Sequence, residues 1–250
     1  MVVKTFSHFP NKIHHLFKGK EVACFVQKHF VSALLKNKFF LEKDYHNALT
    51  ETFYLMDEML RSPQCKDELM SLIDSNDLKN EIGLDDESTA GCTANVILIS
   101  GNDLYTANSG DSRSAICEDG AFIELSIDHK PDNENEKDRI KKAGGDVSGG
   151  RVNGDLSVSR AMGDFEYKND EKLKRDEQLI IVTPEITHRK ITEKTEFVLM
   201  GCDGIWETKS TEKIMKLVSE NLNTKKVTLN RIIGRLFDEL IAKDSRGFFF

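Results

Sequence analysis

The chain has no Cys-x-x-Cys pair. Its five cysteines, Cys24, Cys65, Cys92, Cys117 and Cys202, are scattered and odd in number, so neither a zinc ribbon nor a disulfide framework is indicated. No apolar run approaches transmembrane length, and the first residues carry no signal-peptide core. No membrane span is therefore expected, and a reducing cytoplasmic or nuclear setting is. Positive charge is in deficit. Lys and Arg number 35 against 42 Asp and Glu, a net charge of −7, which argues against nucleic acid or an anionic membrane as partner. No internal repeat is visible. What is present is ordinary for a globular protein: 250 residues, 39% hydrophobic and 31% charged, enough for one domain with a large core.

Periodicity divides the chain. Residues 1–17 show no pattern. Over 20–37, Val22, Val26, Phe30 and Leu34 fall on one helical face; over 44–60, Tyr45, Leu49, Phe53, Met56 and Leu60 do the same. A polar, acidic stretch to residue 87 predicts a weak helix and then a loop. Short β-type runs follow at 93–100, 104–107 and 114–117, punctuated by Gly101-Asn102, Gly110 and Asp119-Gly120. A charged helix is predicted over 134–143, stopped by Gly144-Gly145. Residues 146–180 read as a loop-dominated insertion, and 180–182 and 197–202 as strands. Ser210 and Thr228 are placed to cap two final helices, with Ile232, Leu236 and Leu240 in register. Helices, then closely spaced strands, then helices predict an α+β fold with helix layers over mainly antiparallel sheet.

The most apolar short run, residues 197–202, ends in Asp203-Gly204-Ile205-Trp206. A buried strand that delivers a carboxylate to a sheet rim suits a metal ligand. Cys92 and Cys202 read as small core hydrophobes. Gly110-Asp111-Ser112-Arg113, taken alone, reads as a hairpin turn whose Asp caps backbone N–H groups. Asp128-His129-Lys130-Pro131 admits acid/base chemistry, but a loop ending a strand is the preferred reading. The segment 151–164 holds Arg151, Asn153, Gly154, Arg160 and Asp164. Its arginines can grip phosphate bidentately, and Arg160 can equally serve a structural salt bridge.

In this order and spacing these segments, with Glu136, Arg139-Ile140, Gly144-Gly145, Arg151-Val152-Asn153-Gly154, Ser159-Arg160-Ala161-Met162-Gly163-Asp164 and Thr183-Pro184-Glu185, resemble the PPM-type (type 2C) metal-dependent protein serine/threonine phosphatases over residues 19–245. The resemblance implies an αββα β-sandwich flanked by helices, with a two-metal site for Mg²⁺ or Mn²⁺ at one end. It implies a hydrolase of intracellular signalling, in which a metal-activated water attacks phosphoserine or phosphothreonine of phosphoprotein substrates. A monomer is expected. By motif, Asp203 matches a metal-ligating Asp, and Asp111 the Asp of a further, weaker metal position. Glu207 stands where the family has an Asp behind the metal ligands. Residues 128–165 match the flap beside the site, with Arg151, Asn153, Gly154, Arg160 and Asp164 on the substrate side.

The chain departs from the family at two places. Where Asp-Gly-His-Gly-Gly should precede Lys20, it reads His14-His15-Leu16-Phe17-Lys18-Gly19. The Gly-Asp-Asn-x-Thr segment expected after the last helix is missing as well. The expected domain is 18–245, with 1–17 unmatched, 246–250 a tail, and the sandwich incomplete at both sheet edges. Two neighbouring cations need several carboxylates to hold them against their mutual repulsion. Weak metal binding and low or no activity are therefore expected, from truncation or from a non-catalytic pseudophosphatase that binds phosphoproteins.

Overall fold

The computed structural model describes the backbone of residues 2–8 and residues 19–72, 90–224 and 227–240. The first helical layer is α1 (Lys20–Lys36), the short α2 (Lys38–Leu41), α3 (Tyr45–Arg61) and α4 (Pro63–Leu72). Asp44 caps α3 by accepting from the Asn47 N–H at 3.2 Å, which satisfies one of the first turn's free donors. The apolar stripes of α1 and α3 meet edge to face at Phe30 and Phe53, whose ring centroids lie 5.4 Å apart.

Those stripes bury against one face of the first sheet, in the order β1 (Val2–His8), β2 (Gly91–Ser100), β3 (Asp103–Ser109), β9 (Glu185–Lys190), with β8 (Met162–Gly163) also pairing with β2. The second sheet runs β10 (Thr195–Gly201), β4 (Arg113–Glu118), β5 (Ala121–Glu124). Strand alternation sorts the side chains into layers. Cys92, Ala94, Val96 and Leu98 face α1 and α3. Ile97, with Leu104, Ile116 and Leu125, fills the space between the sheets. Ala115, Cys117 and Leu199 face the last helices, α7 (Thr211–Leu222) and α8 (Leu229–Leu240), through Ile214, Met215, Val218, Ile232 and Leu236. The result is the expected α+β sandwich of helices, sheet, sheet and helices.

Toward one end the layer between the sheets turns polar. Asn95 donates from Nδ2 to Asn108 Oδ1 at 2.9 Å, and Thr93 and Ser112 bond at 2.9 Å. Asn108 in turn donates to the carbonyls of Gly110 and Ile127, each at 3.0 Å. These bonds satisfy the buried Nδ2 donors of both amides, which burial would otherwise make costly. This polar end holds the candidate site.

Between β5 and β9 lie α5 (Glu134–Lys142), the hairpin β6 (Val147–Ser148) and β7 (Arg151–Val152), and a 3₁₀ turn, Phe165–Tyr167. Glu136 anchors this insertion. Although 3% exposed, its carboxylate takes Arg139 and Ser159 at 2.6 Å each and the fork of Arg160 at 2.6–3.2 Å.

Several expectations need correction. Residues 1–17 were expected to hold no strand, yet β1 pairs with β2 in unbroken register from Val2↔Leu98 to His8↔Cys92, so the N-terminal edge is occupied. Backbone pairing needs no side-chain period, and Val2-Val3-Lys4-Thr5-Phe6 carries β-favouring residues. Residues 180–182 form only an isolated bridge, Arg160↔Ile181; the strand lies at β9 instead. Strand β10 is half-buried rather than buried, and Cys202 is part-exposed. The loop at 73–87, His14, His15 and the 246–250 tail lie outside the described residues.

Candidate metal centre

Three carboxylates converge where β3 crosses to β4 and β10 runs into a short helix, α6 (Asp203–Trp206). Asp111 sits in the β3–β4 turn. Asp203 is the first residue of α6, and Glu207 follows one helical turn later, bonding its N–H to Asp203 O at 2.8 Å. The i, i+4 spacing puts both side chains on one side. Oxygens of Asp111, Asp203 and Glu207 lie within 4.8 Å of one another.

Local sequence explains each placement. Gly110 has φ +114°, and a Cβ there would stand 2.1 Å from Thr93 Cγ2, so only glycine allows the turn that aims Asp111 inward. His129 clamps that turn on both sides: its N–H donates to Gly110 O at 3.0 Å, and its Nδ1 accepts from the Gly110 N–H at 3.1 Å. Burial holds His129 below the usual histidine range, against the pull of Glu185. The neutral ring therefore keeps Nδ1 free to accept. The strand-to-helix turn is tied by Trp206 Nε1 donating to Gly201 O at 2.8 Å. Arg113 fixes the neighbouring loop by a bidentate pair with Asp128, at 2.9 and 2.8 Å.

The centre is electrostatically tense. Asp111 is 1% exposed. Burial pushes its carboxyl up to about 6, Lys130 pulls it down, and Asp203 adds to the rise. Burial also raises Asp203; the Gly204 N–H, donating at 2.8 Å, opposes this and Glu207 adds to it. Lys130 answers the charge, with its Nζ bonded to Asp111 Oδ2 and 3.3 Å from Glu207 Oε1. Burial lowers Lys130, but Asp111 and Glu207 outweigh it and the ammonium is held above its usual range. Asp111 Oδ1 is buried and has no hydrogen-bond partner among the described residues. A set of carboxylate oxygens with one desolvated acceptor to spare fits a single hard cation.

The other expected site residues scatter. Arg151 is exposed and donates to Asp155 O within its own hairpin. Asn153, at φ +51°, accepts from the Asp146 N–H at 2.9 Å, and Gly154, at φ +75°, meets open space. Arg160 has its fork on Glu136 and its Nη1 on Thr183 O at 2.9 Å, which is the structural alternative. Asp164 is 1% exposed and lies against Gly91, near Asp57 and Lys168 under α3, away from the flap surface. Lys130, His129 and Arg113 were passed over. Asp128-His129-Lys130-Pro131 ends no strand: it is the loop that steadies Gly110 and Asp111. A charged, His-containing run ahead of Pro was the available signal.

The chain matches the family model described as "Protein phosphatase 2C" over residues 11–247. It is 48% identical over 231 residues to "Probable protein phosphatase 2C 3" of Paramecium tetraurelia, covering 91% of this chain and 74% of that protein. It is 37% identical over 227 residues to "Protein phosphatase 2C homolog 2" of Hypocrea jecorina, covering 91% and 47%. Its fold resembles the crystal structure of a phosphatase from a pathogenic strain of Toxoplasma gondii, with a TM-score of 0.75, 20% identity, and 96% and 79% of the two chains covered.

Proposed function

The chain belongs to the protein phosphatase 2C family of serine/threonine phosphatases, and from that membership we propose that Asp111, Asp203 and Glu207 hold one hard divalent cation, Mg²⁺ or Mn²⁺, for hydrolysis of phosphoserine and phosphothreonine in proteins. The observation that carries this is the meeting of oxygens of the three carboxylates within 4.8 Å, with Asp111 Oδ1 buried and unpartnered among the described residues. A cation bound there supplies a water of lowered pKa and positive charge for a phosphoryl oxygen. The protein's own part is placement. Asp111 is immobilised by Gly110 and His129, and Asp203 is fixed by the Trp206 and Gly204 bonds at the start of α6. Glu207, 58% exposed at its side chain, offers the adaptable third ligand. Arg151, Asn153 and Gly154 lie on the exposed flap hairpin and are proposed to meet the substrate protein there.

This polypeptide by itself turns over slowly or not at all. Only these three carboxylates group as possible ligands among the described residues, and His14-His15-Leu16-Phe17-Lys18-Gly19 brings no acid. Fixing two cations in register needs more. The same observation favours a second reading, a phosphoprotein-binding module without turnover. The test is phosphate release from a phosphothreonine peptide in millimolar Mn²⁺ or Mg²⁺, beside an Asp203→Ala control. Release at background in both is the expected outcome. Robust, metal-dependent release that vanishes in the control would overturn the low-activity reading and leave the site assignment standing.

A further inference from the structure

We propose that Lys130 is a tethered counter-ion: its ammonium holds Asp111 and Glu207 together when no divalent ion is bound, and a divalent ion must displace it to load the centre. The inference rests on the metal site proposed above and adds a residue that sets its loading threshold. Three lines of geometry converge on it.

First, the ammonium occupies carboxylates that a cation would need. Lys130 Nζ bonds Asp111 Oδ2 and reaches Glu207 Oε1 at 3.3 Å, two of the three carboxylates of the group. A dication and an ammonium cannot both sit against the same pair of carboxylates without strong repulsion, which is large at such a distance even with partial screening. Second, the buried Asp111 carboxylate needs a charge beside it. At 1% exposure its ionised form is costly unless paired. Lys130 supplies that pairing, while Oδ1 stays unpartnered among the described residues. The ammonium thus answers one oxygen of Asp111 and leaves the other as an open acceptor. Third, the root of Lys130 is fixed and its head has an exit. Its N–H donates to Asp128 O and its O accepts from Asn133 N–H, both at 3.0 Å, and the preceding His129 is clamped to Gly110. Its side chain is 35% exposed, and four methylenes let the ammonium swing into water without moving the backbone.

The groups facing Lys130 are Asp111 from the β3–β4 turn and Glu207 from the end of α6, with Asp203 and Asp128 close by. All are acidic. Release of the ammonium is therefore unfavourable until a stronger cation takes its place.

The test uses the full 250-residue chain as wild type, Lys130→Met, Lys130→Gln and Asp203→Ala. Isothermal titration with Mn²⁺ is expected to show both Lys130 variants binding about tenfold more tightly than wild type or better, and Asp203→Ala losing the binding. In EDTA the Lys130 variants are expected to melt below wild type; at saturating Mn²⁺ the gap closes. The Gln variant keeps a donor without charge, so it separates charge from packing should the Met variant fail to fold. Equal or weaker Mn²⁺ binding by folded Lys130 variants, with Asp203→Ala still abolishing it, overturns the counter-ion and spares the metal site. Mn²⁺ binding that Asp203→Ala leaves unchanged, or no binding by any folded protein, overturns both.

Discussion

Asp164 is the residue whose environment differs most from what its motif suggested. It was placed with the substrate-side flap, and it lies instead beneath α3. Its φ is +50° and its Oδ2 is buried without a partner among the described residues. Burial drives its carboxyl up to about 7; Lys168 opposes the rise, and Asp57 adds to it. Native Asp164 therefore holds its proton more tightly than the unfolded chain, whose ordinary value is 3.8. The resulting stabilisation is full below about 3.8 and is lost as pH rises through about 7, by at most about 1.4 kcal/mol per pH unit. Asparagine tolerates the left-handed backbone and cannot ionise. Asp164→Asn should therefore gain on wild type between pH 4 and 7, with the difference level above about 8. Urea midpoints measured at pH 4.5, 6 and 8.5 check this; a difference independent of pH would mean that Asp164 is not the titrating group. Sequence could not reveal this placement, because the turn before Phe165 carries it inward, away from the polar neighbours that made 151–164 look like one surface.

At the scale of elements, the long amphipathic segments were legible and the short ones were not. α1, α3, α7 and α8 lie within a residue or two of their apolar stripes, since each buries a continuous face that leaves a 3.6-residue period. β2, β3 and β4 were found because Gly and Asp-Gly turns bound them. β9, with its run Glu185-Ile186-Thr187-His188-Arg189-Lys190, was missed because it is part-exposed and polar along most of its length. It earns its place by backbone pairing with β3 from Asp103↔Lys190 to Asn108↔Glu185. α5 was found from its charge pattern, but what it holds was hidden: Glu136 gathers Arg139, Ser159 and Arg160 from two segments. Burial alone would raise Glu136, yet Arg160 and Arg139 with Ser159 bring it down to about 2. Its contribution is present above about 4.5 and is lost as pH falls through about 2. Glu136→Gln leaves two part-buried guanidinium groups without a counter-charge and should cost up to about 3–5 kcal/mol at pH 7. Hydrogen exchange should show the protection lost first in 134–163. A global loss below about 1 kcal/mol would show that the arginines find carbonyl partners enough.

Across the whole molecule, the layer between the sheets runs from an apolar end to a polar one, and the candidate site sits where the gradient finishes. Ile97, Leu104, Ile116 and Leu125 fill the apolar part of the layer between the sheets; Asn95, Asn108, Thr93 and Ser112 fill the polar part. The α+β layering was legible from the order of the elements, and Asp111 and Asp203 from their motifs. The gradient was not, because it depends on which strands face each other. It predicts that stability and metal affinity separate along one layer. Ile97→Ala removes packing at the apolar end and should cost about 2–5 kcal/mol, with Mn²⁺ affinity unchanged in the folded protein. Asn108→Leu removes the donors to Gly110 O and Ile127 O, each at 3.0 Å, and leaves Asn95 Nδ2 without its 2.9 Å acceptor. The stability cost should be similar or smaller, about 1–3 kcal/mol for stranded polar groups. The turn that presents Asp111 would loosen with it, however, so Mn²⁺ affinity should fall by about tenfold, the equivalent of about 1.4 kcal/mol. Urea denaturation and calorimetric titration of the two variants, side by side, read both quantities. If Asn108→Leu loses stability but binds Mn²⁺ as wild type does, the polar end supports the fold alone and the site is positioned by His129 and Gly110 without it.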